Sequence, residues 1–124
     1  MIVAGIGCKA GIEAEAVRRL VEKAGQLGPG LPCLLAVPDF RRNEAGIAQA
    51  AEALGLPIVW LAREKLRGVQ GRCLTHSARA EREVGLASVA EAAALAAAGP
   101  GSRLILPRIA AGGVTCALAQ GPLH

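Results

Sequence analysis

A chain of 124 residues with 52% hydrophobic content is long enough for one compact domain, expected to span residues 1–124, and too apolar for a disordered segment. Its net charge of +4 is carried by dispersed arginines with only 2% aromatic residues, which argues against nucleic acid and favours a small polyanionic ligand. No stretch reaches the length of a membrane span, because Glu91 interrupts the alanine-rich segment.

The apolar opening, residues 1–4, reads as a buried strand. It runs into Gly5-Ile6-Gly7-Cys8-Lys9-Ala10-Gly11, a glycine-rich bend ahead of an amphipathic helix that starts near Ile12. Ile12, Val17, Leu20, Val21 and Ala24 fall on one face of that helix, and Glu15 and Arg19 form a favourable i,i+4 pair. Gly28-Pro29-Gly30 ends it. Residues 33–37, bounded by Pro32 and Pro38, suit a second buried strand. Asn43 is placed as the cap of a helix carrying Ile47, Ala48, Ala51 and Leu54, stopped by Gly55. Pro57 introduces a third strand at 58–61.

Residues 67–77 lack periodicity and read as an irregular connection lying over the site. A short helical piece at 78–84 follows. Ser88-Val89-Ala90-Glu91 has the form of a capping box, in which the glutamate reaches back to the serine, and opens a helix that ends at Gly99-Pro100. Strands at 103–106 and 114–119 close the chain, joined by residues 107–113, too short a link for a helical crossover. The expected fold class is α/β, a three-layer α/β/α arrangement with a mixed, mainly parallel sheet and a C-terminal antiparallel hairpin.

Four cysteines, Cys8, Cys33, Cys73 and Cys116, are scattered without a C-x-x-C pair. With no secretory pattern at the front, they read as reduced thiols of a cytoplasmic protein. His76 and His124 show no ligand spacing with them, so neither a metal site nor a cofactor is expected.

Ligands of open α/β sheets bind at the C-terminal ends of strands. Cys8 and Lys9 follow the first strand; Asp39, Arg41 and Arg42 follow the second; Arg108, Gly112 and Gly113 lie in the final hairpin. The front bend is the first candidate, an anion cradle in which Gly5, Gly7 and Gly11 expose amides beside the charge of Lys9. It formally satisfies a relaxed dinucleotide pattern, but the only acid at the second strand's end, Asp39, comes too late, and no G-K-[ST] follows. Cys8 has two readings, a thiolate nucleophile activated by the helix end and Lys9, or a small side chain supporting a tight bend. Asp39 and Glu44 are the available acid/base pair, although Glu44 equally suits a first-turn helix carboxylate. Thr115 and His76 are either ligand contacts or an ordinary strand threonine and loop histidine.

Taken together, Gly5-Ile6-Gly7-Cys8-Lys9 with Gly11, Asp39 through Glu44-Ala45-Gly46, Ser88 through Leu95, Pro107-Arg108 and Gly113-Val114-Thr115 resemble the CobE family, itself similar to the C-terminal domain of CbiG. The resemblance covers nearly the whole chain. It implies a cytoplasmic role in building the corrin ring of cobalamin. CbiG-like proteins are linked to opening a lactone on a cobalt-precorrin and losing a two-carbon unit as acetaldehyde, and a chain of this length is expected to be the stand-alone CobE form of the aerobic route. Where the family pattern has lysine, residues 41 and 108 are arginine, which keeps the charge and changes the hydrogen-bond geometry.

The implied ligand is a precorrin, a flat apolar ring fringed by carboxylates. Lys9, Arg41 and Arg108 are the expected anion contacts, and Phe40 and Val69 the apolar wall. Three roles follow: a carrier or accessory factor, a hydrolase or lyase using Asp39 or Glu44 as base, and a structural partner of a biosynthetic methyltransferase. Other cobalamin-biosynthesis enzymes are the expected protein partners.

Overall fold

Side-chain alternation along the first strand decides the architecture. In the computed structural model, which describes residues 1–78, 81–82 and 88–122, strand β1 (Ile2–Cys8) is central and buried on both faces. Its even-numbered residues Ile2, Ala4, Ile6 and Cys8 pack into one core, and Val3 packs into the other. β2 (Leu34–Pro38) and β3 (Ile58–Leu61) add to one side of β1 in parallel. β4 (Arg103–Ala111) and β5 (Val114–Gln120) form an antiparallel hairpin whose second strand pairs antiparallel with β1. The order is therefore β3-β2-β1-β5-β4. Only β5 runs against the others. Helices α1 (Ala14–Leu27) and α2 (Ala45–Leu54) cover one face. On the other face lie α3 (Arg63–Arg67) and α4 (Val89–Ala98). The mixed three-layer fold is the one expected from the sequence.

The glycine-rich bend is where expectation and structure part. β1 does not stop at residue 4; it continues through Gly5, Ile6, Gly7 and Cys8. Gly5 and Gly7 are strand residues, placed where α4 crosses the sheet. A Cβ on Gly5 would lie 1.9 Å from the Ala90 carbonyl oxygen and 2.5 Å from the Ala94 nitrogen. A Cβ on Gly7 would lie 2.6 Å from Thr115 Oγ1. The alanine run of α4 supplies the matching flat surface, with Ala90, Ala92, Ala93 and Ala94 fully buried. The G-x-G spacing thus records two residues on one face of a strand beneath a close-packed helix. It forms no dinucleotide turn.

Gly46 plays the same part between helices. A Cβ there would come within 2.2 Å of the Ile12 carbonyl oxygen, so the first turn of α2 lies directly against the entry to α1. Other boundaries moved by a few residues. Glu44 rather than Asn43 is the N-cap of α2, and Gly55 ends it in the left-handed region at φ 70°. The predicted Glu15–Arg19 pair forms at 3.0 Å, and Arg18 joins it by bridging Glu15 and Glu22. Helix α3 was not legible in the sequence. Residues 78, 81 and 82 are helical, as expected, while the rest of the 78–84 piece lies outside the described residues.

The final hairpin is tighter and longer than expected. Gly112 and Gly113, at φ 62° and 84°, form a two-residue turn closed by the Ala111–Val114 pair. β4 spends nine residues where β5 spends seven, with register shifts between Leu104 and Leu106 and between Leu106 and Ile109. Pro107, which has no N–H to give a ladder, sits in the second shift.

Replacing Gly5 by alanine is expected to lift α4 from β1 and to lower stability by about 1–3 kcal/mol, the usual range for overpacking, or to prevent folding. Urea unfolding followed by circular dichroism measures this; an unchanged midpoint contradicts the packing account.

Candidate functional site

The C-terminal ends of β1 and β2, the β4–β5 hairpin and the start of α4 converge on one cavity of about 400 Å³. Gly7, Cys8 and Lys9 come from β1 and the residue after it. Arg41 and Phe40 come from a 3-10 turn, Asp39–Arg41, that follows β2 directly. Arg108, Gly113 and Thr115 come from the hairpin, and Ser88 and Val89 from the start of α4. Seven of the residues singled out from sequence therefore meet here: Gly7, Cys8, Lys9, Arg41, Arg108, Gly113 and Thr115. Of the two residues expected as apolar wall, Phe40 lines the cavity and Val69 does not, packing against the core beneath α4.

Five expected site residues do other work. Gly5 is sealed under α4. Gly11 and Gly112, both at positive φ, shape turns and do not line the cavity. Asp39 is exposed, outside the lining, and its carbonyl accepts from the Arg42 N–H at 3.1 Å. Glu44 corrects the anion-cradle expectation most sharply. Its Oε1 accepts from the Gly11 N–H at 2.8 Å and the Ile12 N–H at 3.3 Å. The amides read as a cradle for a ligand already hold a carboxylate of the protein itself.

Glu91 makes a second internal carboxylate site. It is fully buried, and Oε1 accepts from the Leu74 and Thr75 N–H groups at 2.9 and 2.7 Å. Oε2 accepts from Thr75 Oγ1 at 2.8 Å and from the Arg108 N–H at 2.9 Å. Burial pushes this carboxyl upward, but the backbone donors at Arg108, Thr75 and Leu74 and the Thr75 hydroxyl outweigh it and hold it below the usual range. Half of the expected capping box is present: the Ser88 hydroxyl accepts from the Glu91 N–H at 3.4 Å. The glutamate does not reach back. It ties the 73–77 segment and the shifted part of β4 to α4, and so positions Ser77 and Arg108, both of which line the cavity. Of residues 67–77, read from sequence as an irregular connection over the site, Ser77 alone lines the cavity, and Gln70–Arg72 form a 3-10 turn.

Both carboxylates, Glu44 and Glu91, are spent on backbone amides. Among the described residues no ion pair involves Lys9, Arg41 or Arg108. Arg41 Nε is buried with no hydrogen-bond partner, and its guanidinium lies 5.5 Å from the Phe40 ring centroid. The Lys9 stem lies across Gly113, where a Cβ would meet Lys9 Cε at 2.6 Å, and the Lys9 N–H donates to the Gly113 carbonyl at 3.1 Å. Thr115 Oγ1 donates to the Gly7 carbonyl at 3.3 Å.

Burial disfavours the thiolate at three of the cysteines. Burial pushes Cys8 up to about 11; Arg41 pulls it back and Glu44 adds to the rise. Burial likewise raises Cys73 to about 11 and Cys116 to about 12. His76 is exposed, 3.6 Å from the Glu81 carboxylate, and does not line the cavity. Among the described residues no three His, Cys, Asp or Glu side chains are grouped to hold a metal, and no helix is long and apolar enough to cross a membrane.

Comparison with known proteins gives consistent matches. Residues 2–119 match the family model described as cobalamin synthesis G C-terminus. A curated protein named CobE, from Sinorhizobium sp, is 34% identical over 98% of this chain and 80% of its own length. The crystal structure of CobE, described as a protein from the cobalamin biosynthetic pathway, superposes with a TM-score of 0.89 at 37% identity, covering 100% of this chain and 92% of that one. A cobalamin biosynthesis protein, chiG, from Agrobacterium tumefaciens gives 0.82 at 39% identity over 99% and 100%.

Because Glu91 is held below its unfolded value, its contribution to stability is present above about pH 4.3 and is lost as pH falls through its folded value. Glu91→Gln turns one acceptor into a donor that faces the Arg108 or Thr75 N–H groups, and should cost about 2 kcal/mol at pH 7. The variant's deficit should shrink as pH falls below about 4.3. Equal stability of variant and wild type at pH 7 in urea titration contradicts the clamp.

Proposed function

This chain belongs to the family defined by the C-terminal domain of the cobalamin synthesis G proteins, and from that premise we propose that it serves cobalamin biosynthesis by binding a carboxylate-rich precorrin as a carrier or accessory factor. The observation that carries the reading is a cluster of positive charge, Lys9, Arg41 and Arg108 around one space, with no ion pair to any of them and no partner for the buried Arg41 Nε among the described residues. A forked guanidinium without a carboxylate in a partly apolar setting recruits one from a ligand, through charge-assisted hydrogen bonds of about 1.5–3 kcal/mol each. Phe40, Val89 and Pro38 supply apolar contact for a ring edge beside those charges.

Binding is favoured over hydrolysis or lysis by the fate of the acid/base pair. Glu44 is committed to the Gly11 and Ile12 amides, Asp39 lies outside the cavity lining, and the Cys8 thiol is raised. Pathway intermediates are the ligands this reading supplies, and the enzymes that make or consume them are the natural protein partners.

Titration of the purified protein with precorrin intermediates, followed by absorption spectroscopy, tests the proposal. Saturable binding with the ligand recovered unchanged is the expected result; conversion to a new spectral species points to the hydrolase or lyase role, and absence of binding removes the carrier role. Lys9→Ala, Arg41→Gln and Arg108→Gln should each weaken binding about tenfold. Lys9→Ala, at an exposed position, should leave the thermal midpoint nearly unchanged.

A further inference from the structure

The chain holds one Phe and one Trp and no Tyr, and each of the two rings carries a guanidinium. Arg63, the first residue of α3, lies 5.1 Å from the Phe40 centroid, on the same ring that Arg41 approaches at 5.5 Å. Arg42 lies 5.4 Å from the Trp60 centroid. The two assemblies serve different faces of the sheet. Trp60 packs with the core under α1 and α2, whereas Phe40 packs with the core under α4 and lines the cavity. Arg63 is therefore one ring away from the cavity without lining it, and among the described residues no carboxylate is paired with it.

Size gives this placement its meaning. A cavity of about 400 Å³ stands at the lower end of small-molecule sites, roughly 300–1,000 Å³, which enclose ligands of drug size. A four-pyrrole ring fringed by acids is larger than that. On the reading proposed above, on which this inference rests, the cavity takes one edge of the ring and its nearest carboxylates, and the remainder overhangs. A guanidinium stacked on an aromatic ring keeps its N–H fork directed outward and surrenders little freedom on binding, which suits it to a carboxylate outside the cavity.

We propose that Arg63, held on the Phe40 ring, forms an outer carboxylate subsite for the part of the macrocycle that the cavity does not enclose. The inner edge of the ligand is then read by Arg41 and Arg108 and the outer edge by Arg63, with Phe40 as the shared platform. A ring lacking a carboxylate at the overhanging position loses the outer contact and keeps the inner one, so Arg63 is a specificity-determining residue.

Cobyrinic acid, a corrin whose side chains are free carboxylates, is a suitable probe, with binding followed by calorimetry. Arg63→Gln should raise its dissociation constant about tenfold, in keeping with loss of one charge-assisted hydrogen bond, and Arg41→Gln should do at least as much. Arg42→Gln, which alters the equivalent pair on the opposite face, should leave the constant within twofold, and thermal midpoints should confirm that all three variants fold. An unaltered constant for Arg63→Gln alongside a weakened Arg41→Gln overturns the outer subsite and leaves the cavity reading intact. Equal weakening by all three variants overturns it too, because it shows attraction to general positive charge. A wild-type protein that does not bind cobyrinic acid at all removes both the subsite and the reading beneath it.

Discussion

The site depends on two carboxylates that point inward. Glu44 and Glu91 each find backbone N–H groups, so both acids are spent on amides, and among the described residues neither forms an ion pair with Lys9, Arg41 or Arg108. At Glu91, which is fully buried, those donors hold the carboxyl below the usual range, because they are fixed and need no reorganisation. Each also joins segments distant in the chain. Glu44 locks the entry of α1 to the start of α2, and Glu91 locks the 73–77 segment and the β4 shift to α4.

Close packing sets the frame within which the clamps operate. The alanine face of α4 lies against Gly5 and Gly7, so Ser88 and Val89 come down to the C-terminal end of β1, beside Cys8 and Lys9. Gly46 allows a similar approach of α2 to the entry of α1, which brings Glu44 within reach of Gly11 and Ile12. The extra residues in β4 free the Arg108 N–H from the ladder for Glu91, and Pro107 fits beside it because it has no N–H to lose. Small residues thus place the backbones, and acids fix the loops they leave.

Much of this was legible where local chemistry decides. Pro32, Pro38 and Pro57 punctuated the second and third strands, Gly55 stopped α2, and Ser88 opened α4, because breakers and caps act within a few residues. Strand order alone brings Lys9 and Arg41 to one rim; Arg108, on the final hairpin, joins them as an expected anion contact only with the family resemblance. What failed was any reading that turned on distant partners. A strand glycine and a loop glycine look alike until the helix above is known, so Gly5 was placed in a bend. Glu44 acts 33 residues away and Glu91 acts 16 and 17 residues away, beyond any periodic pattern. Glu91 in particular sat in a valid capping-box position, and only the tertiary fold offered it better donors. Arg63 lacked a signal altogether, since its importance comes from the Phe40 ring.

The central claim is that the protein's own acids fill the amide sites while its cations await those of a ligand. A crystal structure of the complex with a corrin polycarboxylate tests it most directly. The account predicts ligand carboxylate oxygens within about 2.7–3.2 Å of the Arg41 and Arg108 guanidinium nitrogens, with Glu44 still on the Gly11 and Ile12 amides and Glu91 still on Leu74, Thr75 and Arg108. A ligand carboxylate seated on the Gly11 and Ile12 amides with Glu44 displaced, or a ring bound elsewhere on the molecule, would contradict it.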